Sequence, residues 1–310
     1  MSANLLRIVT RTSRLAMWQA EHIRDRLIAH HPSLKVEIIG IKTKGDLWLD
    51  TPLQKIGGKG LFVKELENAL LANEADLAVH SLKDLPAVFP ETLGLAAICE
   101  RETPFDAFIC PKGHTLQTLP TGSKIGTSSL RRTVQLRHYR PDLEYHPLRG
   151  NIDSRLRKCI DGEWDAIVLA AAGLKRLGLD ANVTQTFSAE QMLPAVGQGA
   201  LAIECRLQDE RVRSLVSVLE DSATRACITA ERAMNAALGG NCQIPVAGFA
   251  TLQKGQLQLT GRVGHPNQPN WLEAAATDAM ENAVVLGERV AKALMDQGAK
   301  ALIDDILQHG

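Results

Sequence analysis

An acid and a base stand side by side in Val79-His80-Ser81-Leu82-Lys83-Asp84-Leu85-Pro86, just where an apolar run from Asp76 to His80 reads as a short buried strand. Pro86 keeps the chain from continuing in a regular ladder, so Asp84 is expected in a turn at the strand's end. In open α/β sheets ligands bind beyond the carboxyl ends of strands, where a carboxylate can meet a reacting group. A solvated turn aspartate beside a solvated lysine is the other reading of the same residues, and such a pair contributes little.

Cations follow the same placement. Arg11 lies where a strand over 5–10 turns through Thr12 and Ser13 into a helix bearing Ala16, Ala20, Ile23 and Leu27 at helical spacing, with Ser13 as its N-cap. There it can reach a bound carboxylate or simply cover the sheet edge. Gly126-Thr127-Ser128-Ser129-Leu130-Arg131-Arg132 reads as a strand end, a hydroxyl-rich cap and a helix running to Tyr139, an anion seat backed by two guanidinium groups. An ordinary capped helix with surface arginines would read the same way. The arrangement recurs at Leu148-Arg149-Gly150-Asn151 before the helix carrying Arg155, and again where a buried strand over 165–170 leads to Lys175 and Arg176. Independent strand-end turns that each carry an arginine point to one pocket for a ligand with several carboxylates. Between Lys124 and Lys158 nine Lys or Arg face three acids, in a chain of formal net charge zero, so the positive charge is local and wants an anion.

Two loops stand apart. Gly57-Gly58-Lys59-Gly60 precedes a helical run over 61–71; its glycines leave backbone amides open, and Lys59 could close over a ligand or sit on a plain surface loop. The spacing is neither a P-loop nor a dinucleotide fingerprint. Cys242 lies in Gly239-Gly240-Asn241-Cys242-Gln243-Ile244-Pro245, after a helix from Ser222 whose stripe is Cys227, Ala230, Met234 and Leu238. A thiol on such a loop is reachable, whether or not it reacts. Cys99, Cys159, Cys205 and Cys227 fall in apolar or helical runs, and the six cysteines show neither C-x-x-C spacing nor histidine partners, so neither a metal nor a disulfide framework is expected.

The elements that must position these residues imply an α/β fold. At 310 residues two or three domains are expected. Strands over 35–41, 93–99, 106–110, 144–146 and 201–205 alternate with helices, and charged 100–104 marks a first crossing between lobes, with 201–205 the crossing back. The reading is two periplasmic-binding-protein-like α/β lobes joined by two hinge crossings, able to open and shut. The first takes 1–99 with 200–219 and the second 105–193. A smaller α+β domain, 222–310, holds strands over 246–252, 256–263 and 271–276 and a helix over 279–295. The amino terminus lacks the apolar core of a signal peptide and the longest apolar run, 166–174, is too short to span a bilayer, so a reduced cytoplasm is expected and no membrane partner.

Arg11-Thr12-Ser13-Arg14-Leu15-Ala16, Gly57 through Glu67, His80 through Pro86, Gly126 through Arg132, Leu148 through Asn151, Leu193-Pro194-Ala195-Val196-Gly197-Gln198-Gly199 and the Cys242 loop together resemble the porphobilinogen deaminase (hydroxymethylbilane synthase) family, in its order and over nearly the whole chain. The resemblance implies a cytoplasmic, monomeric transferase of tetrapyrrole synthesis with porphobilinogen as substrate. Its dipyrromethane cofactor would be attached covalently through Cys242. The carry-over makes Asp84 catalytic, Ser81, Lys83, Thr127, Ser129, Arg131, Arg132, Arg155 and Asp46 cofactor-binding, and Arg11, Arg149, Arg176 and Lys59 substrate-binding, with no metal. One departure is Gly239-Gly240-Asn241 where the family often has Glu-Gly-Gly or Gly-Gly-Gly before the cysteine; Asn tolerates left-handed backbone angles. From another class, a non-catalytic receptor for a polycarboxylate would suit hinged lobes with an arginine cleft but leaves Cys242 without a role. A nucleic-acid reader is disfavoured because only 4% of residues are aromatic and the arginines sit in strand-end turns.

Overall fold

The computed structural model describes residues 4–47, 62–240 and 244–309. In chain order its elements are β1 (Leu5–Arg11), α1 (Arg14–His30), β2 (Lys35–Ile41), a single turn α2 (Lys44–Leu47), α3 (Lys64–Leu71), β3 (Leu77–Ser81) and a 3-10 turn Leu82–Asp84, then β4 (Leu93–Ile98). There follow β5 (Asp106–Ile109), β6 (Lys124–Gly126), α4 (Leu130–Tyr139), β7 (Glu144–His146), α5 (Ile152–Ile160), β8 (Ala166–Ala170), α6 (Ala171–Arg176) and β9 (Gln185–Thr186). The chain closes with β10 (Leu201–Arg206), α7 (Glu210–Val216), α8 (Ser222–Ala237), β11 (Val246–Gln253), β12 (Gln256–Gly264), β13 (Trp271–Ala279), α9 (Ala283–Asp296) and α10 (Ala299–His309).

Two compact units divide these elements: residues 4–47, 62–102 and 200–225 form one, 103–199 and the chain from 226 the other. The first unit is a five-stranded sheet in the order β2-β1-β3-β10-β4, with β1, β2 and β3 parallel and β10 antiparallel to both its neighbours. Because side chains alternate across a strand, Leu6 and Ile8 of β1 meet Ile23 and Leu27 of α1 on one face, while Val9 meets Leu66 and Leu70 of α3 on the other. Strands covered on both faces are apolar along most of their length, as Leu77-Ala78-Val79 of β3 and Leu201-Ala202-Ile203 of β10 are.

The second unit holds two sheets. One has the order β7-β6-β8-β5-β9, with β6, β7 and β8 parallel and β5 antiparallel. Phe108, Ile125 and Val168 pack with Leu136 of α4 on one face, and Ile109, Ile167 and Leu169 with Leu156 of α5 and Leu174 of α6 on the other. The last sheet, β11-β12-β13, is antiparallel and is covered by α8, α9 and α10 through Met234, Leu286, Val290, Leu294 and Ile303. Lys254 and Gly255, both at positive φ, make the two-residue turn that joins its first two strands.

In each five-stranded sheet the antiparallel fourth strand is the one reached just after a crossing between units: β5 after residue 102 and β10 after residue 199. The turn before β10 needs glycine at Gly197 and Gly199, at φ 74° and 94°. Glu231, fully buried on α8, ties this turn down, accepting from Gly197 N at 2.8 Å and from Ala250 N on β11 at 2.9 Å.

The expected α/β class and the caps at Ser13 and Ser129 are found. The expected helix over 279–295 starts later. Thr277 and Ala279 pair with Gln258 and Gln256, so β13 runs through its helix-favouring alanines and α9 begins at Ala283, a case of cross-strand pairing overriding local propensity. The helices α6, α7 and α10 had no counterpart in the sequence reading.

Gly287 of α9 lies so near α8 that a Cβ there would come within 2.4 Å of Ala230 O and 2.8 Å of Met234 N. Backbone cannot step aside as a side-chain tip can. Gly287→Ala is therefore expected to cost about 1–3 kcal/mol, read as a lowered unfolding midpoint in urea.

Candidate active site

In the first unit the candidate residues gather at the carboxyl ends of three adjacent parallel strands. Arg11 is the last residue of β1, Thr43 and Asp46 follow β2, and Ser81 and Asp84 close β3. The sheet order β2-β1-β3 makes these ends neighbours. Arg11, Gln19, Phe62, His80, Ser81 and Asp84 line a cavity of about 60 Å³, room for roughly two waters. Asp84 is exposed, and among the described residues no side chain pairs with its carboxylate. The expected turn is a 3-10 turn, and it leaves this acid open.

Arg11 is not open in the same way. Its guanidinium lies over the Phe62 ring, 4.3 Å from the centroid, and engages Asp46 through Nη2 and, at 3.2 Å, through Nε. Asp46 Oδ2 also accepts from Thr43 N at 3.1 Å and Thr43 Oγ1 at 2.8 Å. Burial pushes the Asp46 carboxyl up, but the Arg11 hydrogen bonds and charge, with the Thr43 donors, outweigh it and hold the group below the usual carboxylate range. Two residues expected on cofactor and substrate are thus partners of each other. Ser81 Oγ accepts from the buried Gln19 Nε2 at 2.8 Å, while Lys83 is half-buried beside it in the 3-10 turn.

The second unit repeats the plan at the ends of β6, β7 and β8, again neighbours in their sheet. Thr127 follows β6, buried, with its Oγ1 accepting from Ser129 N at 3.2 Å; Ser129 caps α4 by accepting from Arg132 N. Arg149 follows β7, and Arg155 on α5 sends Nε back to Gly150 O at 2.7 Å. Arg176, the last residue of α6, donates from Nη2 to Gly199 O at 2.7 Å.

Arg131 and Arg132 differ from the surface donors expected. Both are buried and both hold the fully buried Asp106 at the start of β5, at 2.8 Å from Oδ2 and 2.7 Å from Oδ1 respectively. Arg131 Nη1 also donates to Leu193 O, and Arg132 Nη1 to Val168 O. Burial draws the Arg131 guanidinium down from its ordinary value, against the pull of Asp106. The first task of both is to neutralise a buried acid, and a ligand would meet only their remaining N–H groups.

Cys242 and Lys59 lie outside the described residues. The five other cysteines are all buried; burial pushes the Cys205 thiol up to about 11 and Cys159 up to about 12, so neither is a nucleophile. Among the described residues no cluster of ligands could hold a metal, and no helix is long and apolar enough to cross a membrane. The sequence reading passed over Gln19, Phe62, Asp106 and Glu204 as partners. Asp106 and Glu204 carried a signal, each being a lone acid inside an apolar strand.

Two sheet-plus-helix units with polar side chains at the carboxyl ends of parallel strands, and a smaller antiparallel sheet, define a mixed α/β protein. A family model described as porphobilinogen deaminase, dipyromethane cofactor binding domain, matches residues 6–214, and one described as porphobilinogen deaminase, C-terminal domain, matches 225–296. The chain belongs to the porphobilinogen deaminase family, enzymes of the transferase class in tetrapyrrole synthesis. Similar solved structures include a YaeC-family lipoprotein from Enterococcus faecalis V583, at 13% identity over 70% of this chain and 92% of that one, TM-score 0.43. The BenM effector binding domain with its effector benzoate matches at 14% identity over 69% and 90%, TM-score 0.43. The periplasmic aliphatic sulphonate binding protein SsuA from Escherichia coli matches at 12% identity over 75% and 70%, TM-score 0.39.

The Arg11–Asp46 pair has a pH signature. A carboxyl lowered by folding contributes stability in full above its unfolded value, about 4, and loses it as pH falls through the folded value. Asp46→Asn is expected to lower stability by about 1.5–3 kcal/mol at pH 7. The gap to the parent should close as pH drops toward about 2 in parallel urea titrations.

Proposed function

We propose that the chain condenses four porphobilinogen molecules head to tail onto a dipyrromethane held covalently through Cys242, releasing ammonia at each joining, after which water frees hydroxymethylbilane. The family match over both segments supports the reading. The observation that carries it is the Asp84 carboxylate, exposed and without a partner among the described residues, at a cavity beside Arg11. The domain division at 1–99 with 200–219, 105–193 and 222–310 belongs to this reading, as do a cytoplasmic monomer and the absence of nucleic-acid or membrane partners.

Dipyrromethane, when bound, supplies the primer ring whose free carbon joins the incoming monomer. The donor set suits its acetate and propionate groups. Arg149 and Arg155 are guanidinium groups at strand-end turns, Thr127, Ser129 and Ser81 bring hydroxyls, and Lys83 brings a point charge. Arg131 and Arg132 offer what N–H capacity Asp106 leaves them. Arg11 and Arg176 take the monomer's carboxylates. At Arg11 a monomer carboxylate replaces Asp46, so one anion is exchanged for another and no bare cation is left behind. Lys59 is assigned to the substrate from its loop motif alone.

Loss of ammonia leaves positive charge on the monomer's methylene-pyrrole. A carboxylate about 4 Å away, at an effective dielectric near 20, stabilises it by about 4 kcal/mol, a sizeable part of a barrier. Asp84 is the group available for this, since every other described acid lining the site is already paired. It is also the base at hand for the proton that ring carbon sheds on coupling.

Asp84→Asn is expected to keep the fold and the attached cofactor while turnover of porphobilinogen falls about 100-fold or more. Near-normal turnover in a stopped-flow assay would remove Asp84 from the chemistry. For the attachment site, intact-protein mass measurement should find the dipyrromethane adduct on the parent chain and none on Cys242→Ala; an adduct on the variant would place the bond elsewhere.

A further inference from the structure

Beneath the cavity that holds Asp84 is a buried acid that the reaction above does not use. Glu204 of β10 is fully buried, and its Oε2 lies 2.9 Å from Nε2 of His80 on β3, whose side chain is 5% exposed and lines the cavity. Neither Glu204 oxygen nor His80 Nε2 has a hydrogen-bond partner among the described residues, so each is the other's nearest counterpart, as a close charge contact. An ionised carboxylate in such a place costs several kcal/mol unless it is paired.

At this separation the imidazole is the one group facing the buried carboxylate, and a positive ring is the counter-charge available to it. A ring carrying a proton on both nitrogens answers that carboxylate as imidazolium against carboxylate, a charge-assisted contact. Nε2 is the ring nitrogen that faces Glu204 Oε2. Nδ1–H is then the ring's second donor, on a side chain that lines the cavity.

The charged neighbours are consistent with a cation there. Asp84 and Arg11 line the same cavity, and α3 brings Glu67 and Lys64. The Glu67 carboxyl is raised, first by its own burial and then by Glu204, while His80 and Lys64 act in the opposite sense. The neighbouring sheet strand β4 carries no charged side chain.

We infer that His80 is a substrate-binding residue: held protonated by Glu204, it donates from Nδ1 to a carboxylate of the pyrrole monomer seated between Arg11 and Asp84. This rests on the porphobilinogen reading for the identity of the ligand. The consequence is a site in which a ring N–H and a guanidinium take an acid group while Asp84 stays free for the developing cation. Glu204 is a positioning residue, acting only through the ring.

Glu204→Gln keeps the shape and removes the charge. In ¹⁵N-histidine NMR of the full chain at pH 7.5, His80 is expected to show both ring nitrogens protonated in the parent and a neutral ring in the variant. In porphobilinogen consumption, the variant should show KM raised about tenfold at that pH with kcat changed less than threefold. The alkaline limb of its kcat/KM profile should lie at lower pH, with KM recovering toward the parent's as pH falls. A neutral His80 ring in the parent overturns the charged pair, whatever the activity does. A protonated parent ring with KM untouched in the variant overturns the substrate contact. Should Glu204→Gln fail to fold, His80→Gln tests the same KM rise at unchanged circular dichroism. A parent chain that consumes no porphobilinogen would sink the reaction while the NMR still decides the pair.

Discussion

The structure depends most on where the chain re-enters its first sheet. Strand β10 runs antiparallel between β3 and β4, although more than a hundred residues separate it from either neighbour along the chain. Its hydrogen bonds to Leu77–Ser81 fix the strand from which the Asp84 turn departs, and Leu82 N donates to Ala200 O at the point where the turn begins. The same strand buries Glu204 against His80. Without β10 the Asp84 turn would hang from a sheet edge with its backbone groups unpaired, a position unsuited to holding a carboxylate still. In the second unit β5 has the corresponding role, and its first residue, Asp106, draws in the two arginines of α4.

Charge is therefore used in two ways that a count cannot separate. Of the nine bases between Lys124 and Lys158, Arg131 and Arg132 answer Asp106, and Arg140 answers Asp142 while also donating to Leu116 O and Leu119 O. Breaking the buried Asp106 pairs would leave an uncompensated charge and cost about 3–5 kcal/mol, so Arg131 and Arg132 are held first by the fold. Arg149, Arg155 and Arg176 are half-buried, and Arg155 and Arg176 donate to the backbone oxygens of Gly150 and Gly199 rather than to a buried acid. In the first unit the logic is reversed: an acid, Asp46, occupies the cation, and Asp84 is the one left open.

Much of the fold was legible from residues alone because strand and helix periods, caps and glycine-rich turns are local signals. Ser13 and Ser129 cap the helices assigned to them, and the turn at Gly197 and Gly199 is where the chain crosses back. Helices α7 and α10 were missed because each stands after an element already complete, and the end of β13 was misread because its alanines have no strand preference until β12 pairs with them.

Along the chain, residue order alone settled which groups stand at strand ends: Arg11, Asp84, Thr127 and Arg149 follow short strand-like runs closed by turn residues, and a run's end is a local property. The family motifs were equally readable, since they are contiguous. Which of those groups are spoken for was decided only by tertiary structure. Asp46 lies 35 residues from Arg11, Asp106 lies 25 and 26 from Arg131 and Arg132, and Glu204 lies 124 from His80. A charge is cancelled by whatever packing brings within a few ångströms in a low dielectric, and distance along the chain says nothing about that.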